Sequence, residues 1–307
     1  MFLYTLVNIG SEKLLKEEMS IKYPNFHFAY SKPGFITFKN CDDFFDFNEE
    51  TKLDLVFARI YGLSIGKCNS DELVPKIAEY GSKRKVQRYN LELEIISTEP
   101  AAIGDEILDI IEMGEDEYWL GIRKVAAFEW KSAAGIPRLI ADEFIPSRAY
   151  FKIEEAMALT QDKVKEGDVV LEIGSAPGGA TYSMLKRGAK VYGVDNAEMS
   201  EICMKNNKFI HMKMAMQKLT KDNIPENITT VVCDVNLDPY DVIPFLMEIF
   251  VLRPNIKRVY YTLKMGKRVK VKDIPDFILR FERAGFTKIK AVQLPSNKSE
   301  IMVYGGK

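Results

Sequence analysis

The stretch Val169-Val-Leu-Glu-Ile-Gly-Ser-Ala-Pro-Gly-Gly-Ala-Thr181 constrains this chain more than any other. A short, mostly apolar run stops at glycines and leads into helix-compatible residues, which reads as strand, glycine loop and helix. Glycines let the backbone approach a ligand, and the helix start offers unpaired N–H groups. The stretch also sits in a repeating context. From Pro146 onward, strand-like runs at 169–173, 190–194, 209–212, 229–233, 258–263, 287–294 and 301–304 are separated by helical stretches at 150–165, 178–187, 240–252 and 274–284. That alternation predicts a doubly wound α/β fold of seven mostly parallel strands. Only Pro295–Glu300 joins the last two runs. A parallel crossover needs about a dozen residues, so the last strand is expected to be antiparallel.

The first half reads as α+β. Phe2–Ile9 fits a strand, Ser11–Met19 a helix, and Phe35–Phe38 a strand behind the Lys32-Pro33-Gly34 turn. Leu91-Glu-Leu-Glu-Ile95 alternates strictly and is expected to be a half-buried strand, and Tyr118–Ile122 another. We therefore expect an α+β domain at 1–125, a linker at 126–145 and the doubly wound domain at 146–307. A composition of 47% hydrophobic and 28% charged residues excludes a disordered or low-complexity chain. No apolar run approaches the roughly 18 residues of a spanning helix, and Met1–Ile9 lacks the basic flank of a leader. The four cysteines form no C-x-x-C pair and there are two histidines, so neither a zinc site nor a disulfide framework is expected. The expectation is a cytoplasmic monomer without a metal.

The near-neutral net charge of −1 conceals an asymmetry. Residues 251–307 carry 14 Lys and Arg against four Asp and Glu, while the rest of the chain is acidic. Arg253, Lys257, Arg258, Lys264, Lys267, Arg268, Lys270 and Lys272 supply most of that surplus. A local basic face on an acidic body points to a polyanionic partner bound at one place.

Three cofactor classes use such a glycine loop. A phosphate-binding loop of the nucleotide hydrolases needs Lys after the last glycine, where Ala180 stands, and a dinucleotide site needs G-x-G, which Ser175-Ala176 breaks. S-adenosylmethionine remains, with the 174–179 loop (Gly174, Ser175, Ala176, Pro177, Gly178, Gly179) holding it. Asp195, 21 residues after Gly174 at the end of the second strand, is placed to accept from its ribose hydroxyls. Ligands in open α/β sheets bind at the carboxyl ends of the strands. Asp234 follows the fourth strand, Lys264 ends the fifth, Glu300 begins the antiparallel last, and Lys152 opens the helix before the loop. These four should converge as a balanced cluster suited to proton abstraction, since a crowded or desolvated lysine can act as a base near neutral pH.

Ser147-Arg-Ala-Tyr-Phe-Lys152, Ala176-Pro-Gly-Gly179 and the Lys152, Asp234, Lys264, Glu300 set resemble the FtsJ-like RNA ribose 2′-O-methyltransferases over residues 146–305. The branch that methylates a cytidine of large-subunit ribosomal RNA is the nearest in pattern. Its N-terminal THUMP-like RNA-binding module is loosely similar to residues 1–125, through Gly10-Ser-Glu-Lys-Leu-Leu15 and Lys32-Pro-Gly-Phe35. The resemblance implies a Rossmann-like methyltransferase fold and 2′-O-ribose methylation of RNA, not DNA, with Lys267, Arg268, Lys270 and Lys272 meeting the RNA phosphates. It implies Lys264 as proton acceptor, with Lys152, Asp234 and Glu300 orienting it and the substrate. It implies Ser147, Ala176–Gly179, Asp195 and Asp234 as cofactor contacts. Ala180 replaces the family's usual Trp, and no Asp follows the third strand, leaving Gln217 or the backbone for the adenine.

Two alternatives stand beside this reading. An RNA-binding pseudoenzyme of the same fold would keep the basic stretch without the chemistry. Asp238-Pro239-Tyr240 resembles the box of amino-group (base) methyltransferases, although that box should directly follow the fourth strand. Cys233 as a cytosine nucleophile lacks the usual Pro-Cys neighbour, and a buried structural thiol is the expectation.

Overall fold

Apolar β-branched runs cut by glycines and capping residues give the second half its strands and helices, and the expected alternation is what forms. The computed structural model describes all 307 residues, in two units, Met1–Arg138 and Leu139–Lys307. In the first unit the elements are β1 (Phe2–Val7), α1 (Glu12–Lys22), β2 (Phe26–Lys32), β3 (Phe35–Asn40), β4 (Ala58–Cys68), α2 (Ser70–Gly81), β5 (Lys85–Asn90), β6 (Ile95–Thr98), β7 (Glu106–Gly114) and β8 (Glu117–Lys124). They make one sheet in the order β2-β3-β1-β4-β8-β7-β5-β6, antiparallel except for β5 beside β7. Ile110 and Ile111 of β7 fall in different apolar clusters, one packed with Leu73 of α2 and the other with Tyr4, Phe35, Trp119 and Ala134. Both faces of this sheet are therefore covered.

Two expectations for this unit are corrected. Leu91–Glu94 is the turn between β5 and β6, not a strand, with Leu93 at φ 71°. The alternation of exposure is real, since Leu91, Leu93 and Ile95 all pack on the Tyr4–Trp119 cluster, but it is produced by a turn folding over that cluster. The unit also extends past residue 125. Buried Arg123 donates to the Trp130 carbonyl, Gln87 to the Lys131 carbonyl and Arg59 to the Ala134 carbonyl, at 2.7–2.8 Å. Residues 126–138, expected to lie in the linker, are thereby bound to the first sheet.

The second unit runs α3 (Ala149–Thr160), β9 (Val169–Ile173), α4 (Gly179–Lys186), β10 (Lys190–Val194), α5 (Glu201–Met204), β11 (Phe209–Met212), β12 (Thr230–Cys233), α6 (Pro239–Leu252), β13 (Arg258–Lys264), α7 (Ile274–Arg283), β14 (Lys288–Val292) and β15 (Glu300–Gly306). Strand order is β11-β10-β9-β12-β13-β15-β14. All neighbours are parallel except β15, which runs antiparallel to β13 and β14. This is the doubly wound, Rossmann-like sheet with one reversed strand that the sequence predicts. The order reverses between β9 and β12, and such a switch point opens a crevice at the carboxyl ends of the strands.

Candidate functional site

The sheet register brings four charged side chains to that crevice. Asp234 is the residue after β12, and Lys264, the last of β13, stands directly opposite Glu300, the first of β15. Lys152 reaches in from the first turn of α3. Lys264 Nζ lies 2.7 Å from Asp234 and 2.6 Å from Glu300, and Lys152 Nζ lies 2.9 Å and 2.6 Å from the same two carboxylates. The result is a closed, alternating ring. Its side chains are only 13–21% exposed, so these contacts are largely shielded from water. Burial alone would raise the Asp234 and Glu300 carboxyls, yet the two lysines outweigh it and hold both below their ordinary range. For Lys264, burial pulls downward, but the Asp234 charge and the bonds to both carboxylates dominate and raise it. Lys264 in the ring is thus an ammonium at neutral pH.

The glycine loop lies beside the ring. Gly174 has φ 82°, and a Cβ there would stand 2.6 Å from the Asp234 carbonyl oxygen, so only glycine lets the loop press against the end of β12. Asp195 follows β10, and its carboxylate accepts from the Ala176 N–H at 3.1 Å and the Ala197 N–H at 2.9 Å. Gly174, Ala176, Asp195, Asp234 and Gln217 line a cavity of about 370 Å³, together with the apolar Met214, Met216 and Val235. The other expected cofactor residues build the turn and do not line this cavity. Ser175 is buried with its hydroxyl toward the Met199 sulfur. Ala176–Pro177 is a cis peptide, and Gly178 and Gly179 begin α4. Gly179 packs so closely on Ser147 that a Cβ would stand 2.6 Å from the Ser147 carbonyl oxygen. Beneath the loop, Thr181 donates to Glu172, whose carboxyl is pushed up to about 8 by burial.

Ser147 lines a second cavity, of about 530 Å³, with Lys152, Lys264 and Glu300 in its wall. Asn236 belongs to both cavities, so the ring stands between them. Sequence reasoning missed Asn236, and also Arg148 and Lys298 of the second cavity. The position of Asn236 two residues past Asp234 was the available signal. Lys298 had none, because it depends on how the β14–β15 hairpin turns.

The basic stretch does not form one face. Arg253 is buried and donates to the carbonyls of Ile224, Pro225, Lys221 and Leu252, and Arg258 is buried against Asp168 and the Lys163 carbonyl. Those two are structural. Lys267, Lys270 and Lys272 are exposed after β13. Arg268 is exposed too, but it pairs with Asp238 at 3.3 Å and lies over the Tyr240 ring. Asp238 itself caps α6, accepting from the Tyr240 N–H, so Asp238-Pro239-Tyr240 serves as a helix start. Cys233 is wholly buried and its thiol is pushed up to about 12 by burial, which removes it as a nucleophile near neutral pH.

Residues 145–300 match the FtsJ-like methyltransferase family. The chain is 30% identical over 181 residues to the ribosomal RNA large subunit methyltransferase M of Laribacter hongkongensis, covering 55% of this chain and 50% of that protein. With the protein of the same name from Proteus mirabilis the identity is 27%, covering 55% and 49%. The chain spans about half the length of the curated relatives it matches. Among solved structures it is similar to the Methanococcus jannaschii fibrillarin pre-rRNA processing protein, at 17% identity and TM-score 0.41, covering 68% of this chain and 85% of that one.

Proposed function

The chain belongs to the FtsJ-like methyltransferase family, and from that premise we propose that it methylates the 2′-hydroxyl of a ribose in RNA, using S-adenosylmethionine. The expected target is a cytidine of large-subunit ribosomal RNA; the relatives' name, ribosomal RNA large subunit methyltransferase M, supports the RNA, and the resemblance supports the cytidine. The observation that carries the reading is Lys264, held between Asp234 and Glu300 where the two cavities meet.

The first cavity fits the cofactor. Each Asp195 oxygen accepts one backbone N–H, which leaves acceptor capacity for a ribose diol. Gly174 keeps the loop pressed against the end of β12, and Met214, Met216 and Val235 offer an apolar slot for a flat base, with Gln217 as its polar contact. When bound, S-adenosylmethionine supplies an electrophilic methyl group and a cation. The ring of two lysines and two carboxylates is neutral overall. Once Lys264 gives up its proton to solvent water the ring carries −1, a charge that a cation in the neighbouring cavity compensates. A nearby cation also disfavours the ammonium. Lys264 Nζ then takes the hydroxyl proton, while Asp234 and Glu300 fix its position and Lys152 holds both carboxylates in place. Lys267, Lys270 and Lys272 meet RNA phosphates, with Arg268 joining them if it leaves Asp238.

The same proposal gives the first unit the docking role of a THUMP-like module. Its acids outnumber its bases, 23 to 17 over residues 1–138, so docking there rests on shape and aromatic contact, not on net charge. No helix is long and apolar enough to cross a membrane, and we place the protein in the cytoplasm as a monomer.

The test is a calorimetric titration with S-adenosylmethionine, followed by methyl transfer to large-subunit ribosomal RNA with the product mapped. Micromolar binding, weakened at least tenfold in Asp195→Ala, and a 2′-O-methyl product are expected. No binding at millimolar cofactor would favour the pseudoenzyme. A methyl group on a base would favour the amino-group chemistry.

A further inference from the structure

The C-terminal charge surplus is only partly used by the ring and by the stretch after β13. Three of the remaining lysines, Lys257, Lys288 and Lys307, lie at the opposite end of the sheet. Lys257 precedes β13, Lys288 begins β14 and Lys307 follows β15. Because β15 is reversed, its last residue falls beside the first residues of its neighbours. Lys288 pairs in register with Gly306, and the Lys307 N–H donates to the Lys257 carbonyl at 2.9 Å. The same edge continues across the sheet with Lys190 at the start of β10, Lys208 before β11 and Lys165 in the loop before β9.

Six of the seven strands thus present a lysine at one edge, a row about 29 Å long at ~4.8 Å per strand. Lys208 faces Glu166 at 3.6 Å, while Lys165, Lys190, Lys257, Lys288 and Lys307 are exposed and in no ion pair. The acids that could neutralise the row are partly engaged elsewhere. Asp168 is buried against Arg258, and the Asp162 carboxylate accepts from the Tyr304 hydroxyl. A row of six cations, five of them in no ion pair, at one edge of an otherwise acidic chain favours a polyanion.

We propose that this edge binds a second stretch of the RNA substrate through its phosphates, away from the nucleotide that enters the ring. The inference rests on the RNA reading above and extends it. The two edges are separated by the length of β13, about 23 Å at ~3.3 Å per residue, so a strand of two or three nucleotides occupying the ring does not reach both. The partner that fits is a folded RNA, and contact along the row is independent of base sequence.

The experiment compares the full-length chain with its Lys257→Gln, Lys288→Gln, Lys307→Gln triple variant. The probes are transcribed large-subunit ribosomal RNA and a trinucleotide, too short to span the two edges, each titrated between 50 and 200 mM salt. Loss of three phosphate contacts lowers the log–log salt slope by ~2.7, so over this fourfold salt range the wild type should lose roughly 40-fold more affinity than the variant. The trinucleotide and S-adenosylmethionine should bind both proteins alike, the latter reporting an intact fold. An unchanged slope on ribosomal RNA overturns the proposal. A Lys267→Gln, Lys270→Gln control separates the two readings. If only this control weakens RNA binding, the lower edge is not a contact and the RNA reading stands; if neither variant does, both fail. Binding to phosphatidylglycerol vesicles that the triple substitution abolishes, with RNA binding unaffected, overturns the proposal in favour of a membrane surface.

Discussion

Replacing Lys264 by methionine removes the ammonium from the ring and keeps most of the side-chain volume. The structure sets the size of the effect. Lys264 makes two charged contacts, at 2.7 and 2.6 Å, among groups 13–21% exposed. Removing one partner of a fully buried ion pair costs about 3–5 kcal/mol. Two features reduce that here. The ring is not fully buried, and Lys152 still contacts both carboxylates in the variant. We therefore expect a loss of about 2 kcal/mol at pH 7, near the value of one to two charged hydrogen bonds. The pH dependence carries its own sign. Asp234 and Glu300 are lowered in the folded state, so their contribution is present above the unfolded carboxylate value of about 4 and fades as pH falls through the lowered values. Lys264 is raised, so its contribution is complete below the unfolded lysine value of about 10.4 and fades as pH rises through its folded value. The gap between wild type and variant should be flat from about pH 5 to 10 and narrow on both sides. Urea unfolding across pH measures it. Methyl transfer by the variant should fall about 100- to 10,000-fold, the usual worth of a general base, with cofactor affinity held. A gap that persists unchanged below the carboxylate range, or methyl transfer within a few-fold of wild type, would refute the ring argument.

Three further outcomes are expected. Glu172 is protonated at neutral pH, so the wild type should lose stability as pH rises from about 4.5, the unfolded carboxyl value, towards 8; Glu172→Gln should remove that slope, and urea titrations at pH 6 and 8.5 that keep it would show another group responsible. Gly174→Ala places a Cβ 2.6 Å from the Asp234 carbonyl at φ 82° and should cost at least the ~1–2 kcal/mol of a left-handed residue, with weaker S-adenosylmethionine binding; wild-type values in both calorimetry and unfolding would rule out the close approach. Arg253→Ala leaves four carbonyls without their donor and should destabilise by about 3 kcal/mol while leaving the salt dependence of RNA binding alone; a reduced salt slope would return Arg253 to the RNA-binding set.

Much of the second unit was legible locally. Its strands are short apolar runs between glycines and caps, and the positions of β9, β10 and β11 follow from that pattern alone. The ring residues were legible for the same reason, since each stands at the end or start of an element and the fold sends those ends to one crevice. The first unit was harder. Exposed and half-buried residues alternate over Leu91–Ile95 in a turn much as they would in a strand, and the positive φ of Leu93 has no signature in a leucine. The pairings of β1 with β4 and of β4 with β8 join strands about 50 residues apart, so the middle of the sheet depended on partners that no short window of sequence contains.

By itself, then, the sequence determined element type, the glycine loop and the identity of the charged set, because these depend on period, turn chemistry and residue type within a few positions. Tertiary structure decided which charges face which. The pairing of Lys264 opposite Glu300 comes from the antiparallel register of β15, and that same reversal puts Lys307 beside Lys257 and Lys288 at the far edge. It also decided that Arg253 and Arg258 are interior hydrogen-bond donors while Lys267, Lys270 and Lys272 are exposed. A basic run looks uniform along the chain, but burial assigns each cation its partner, and burial exists only once the layers have packed.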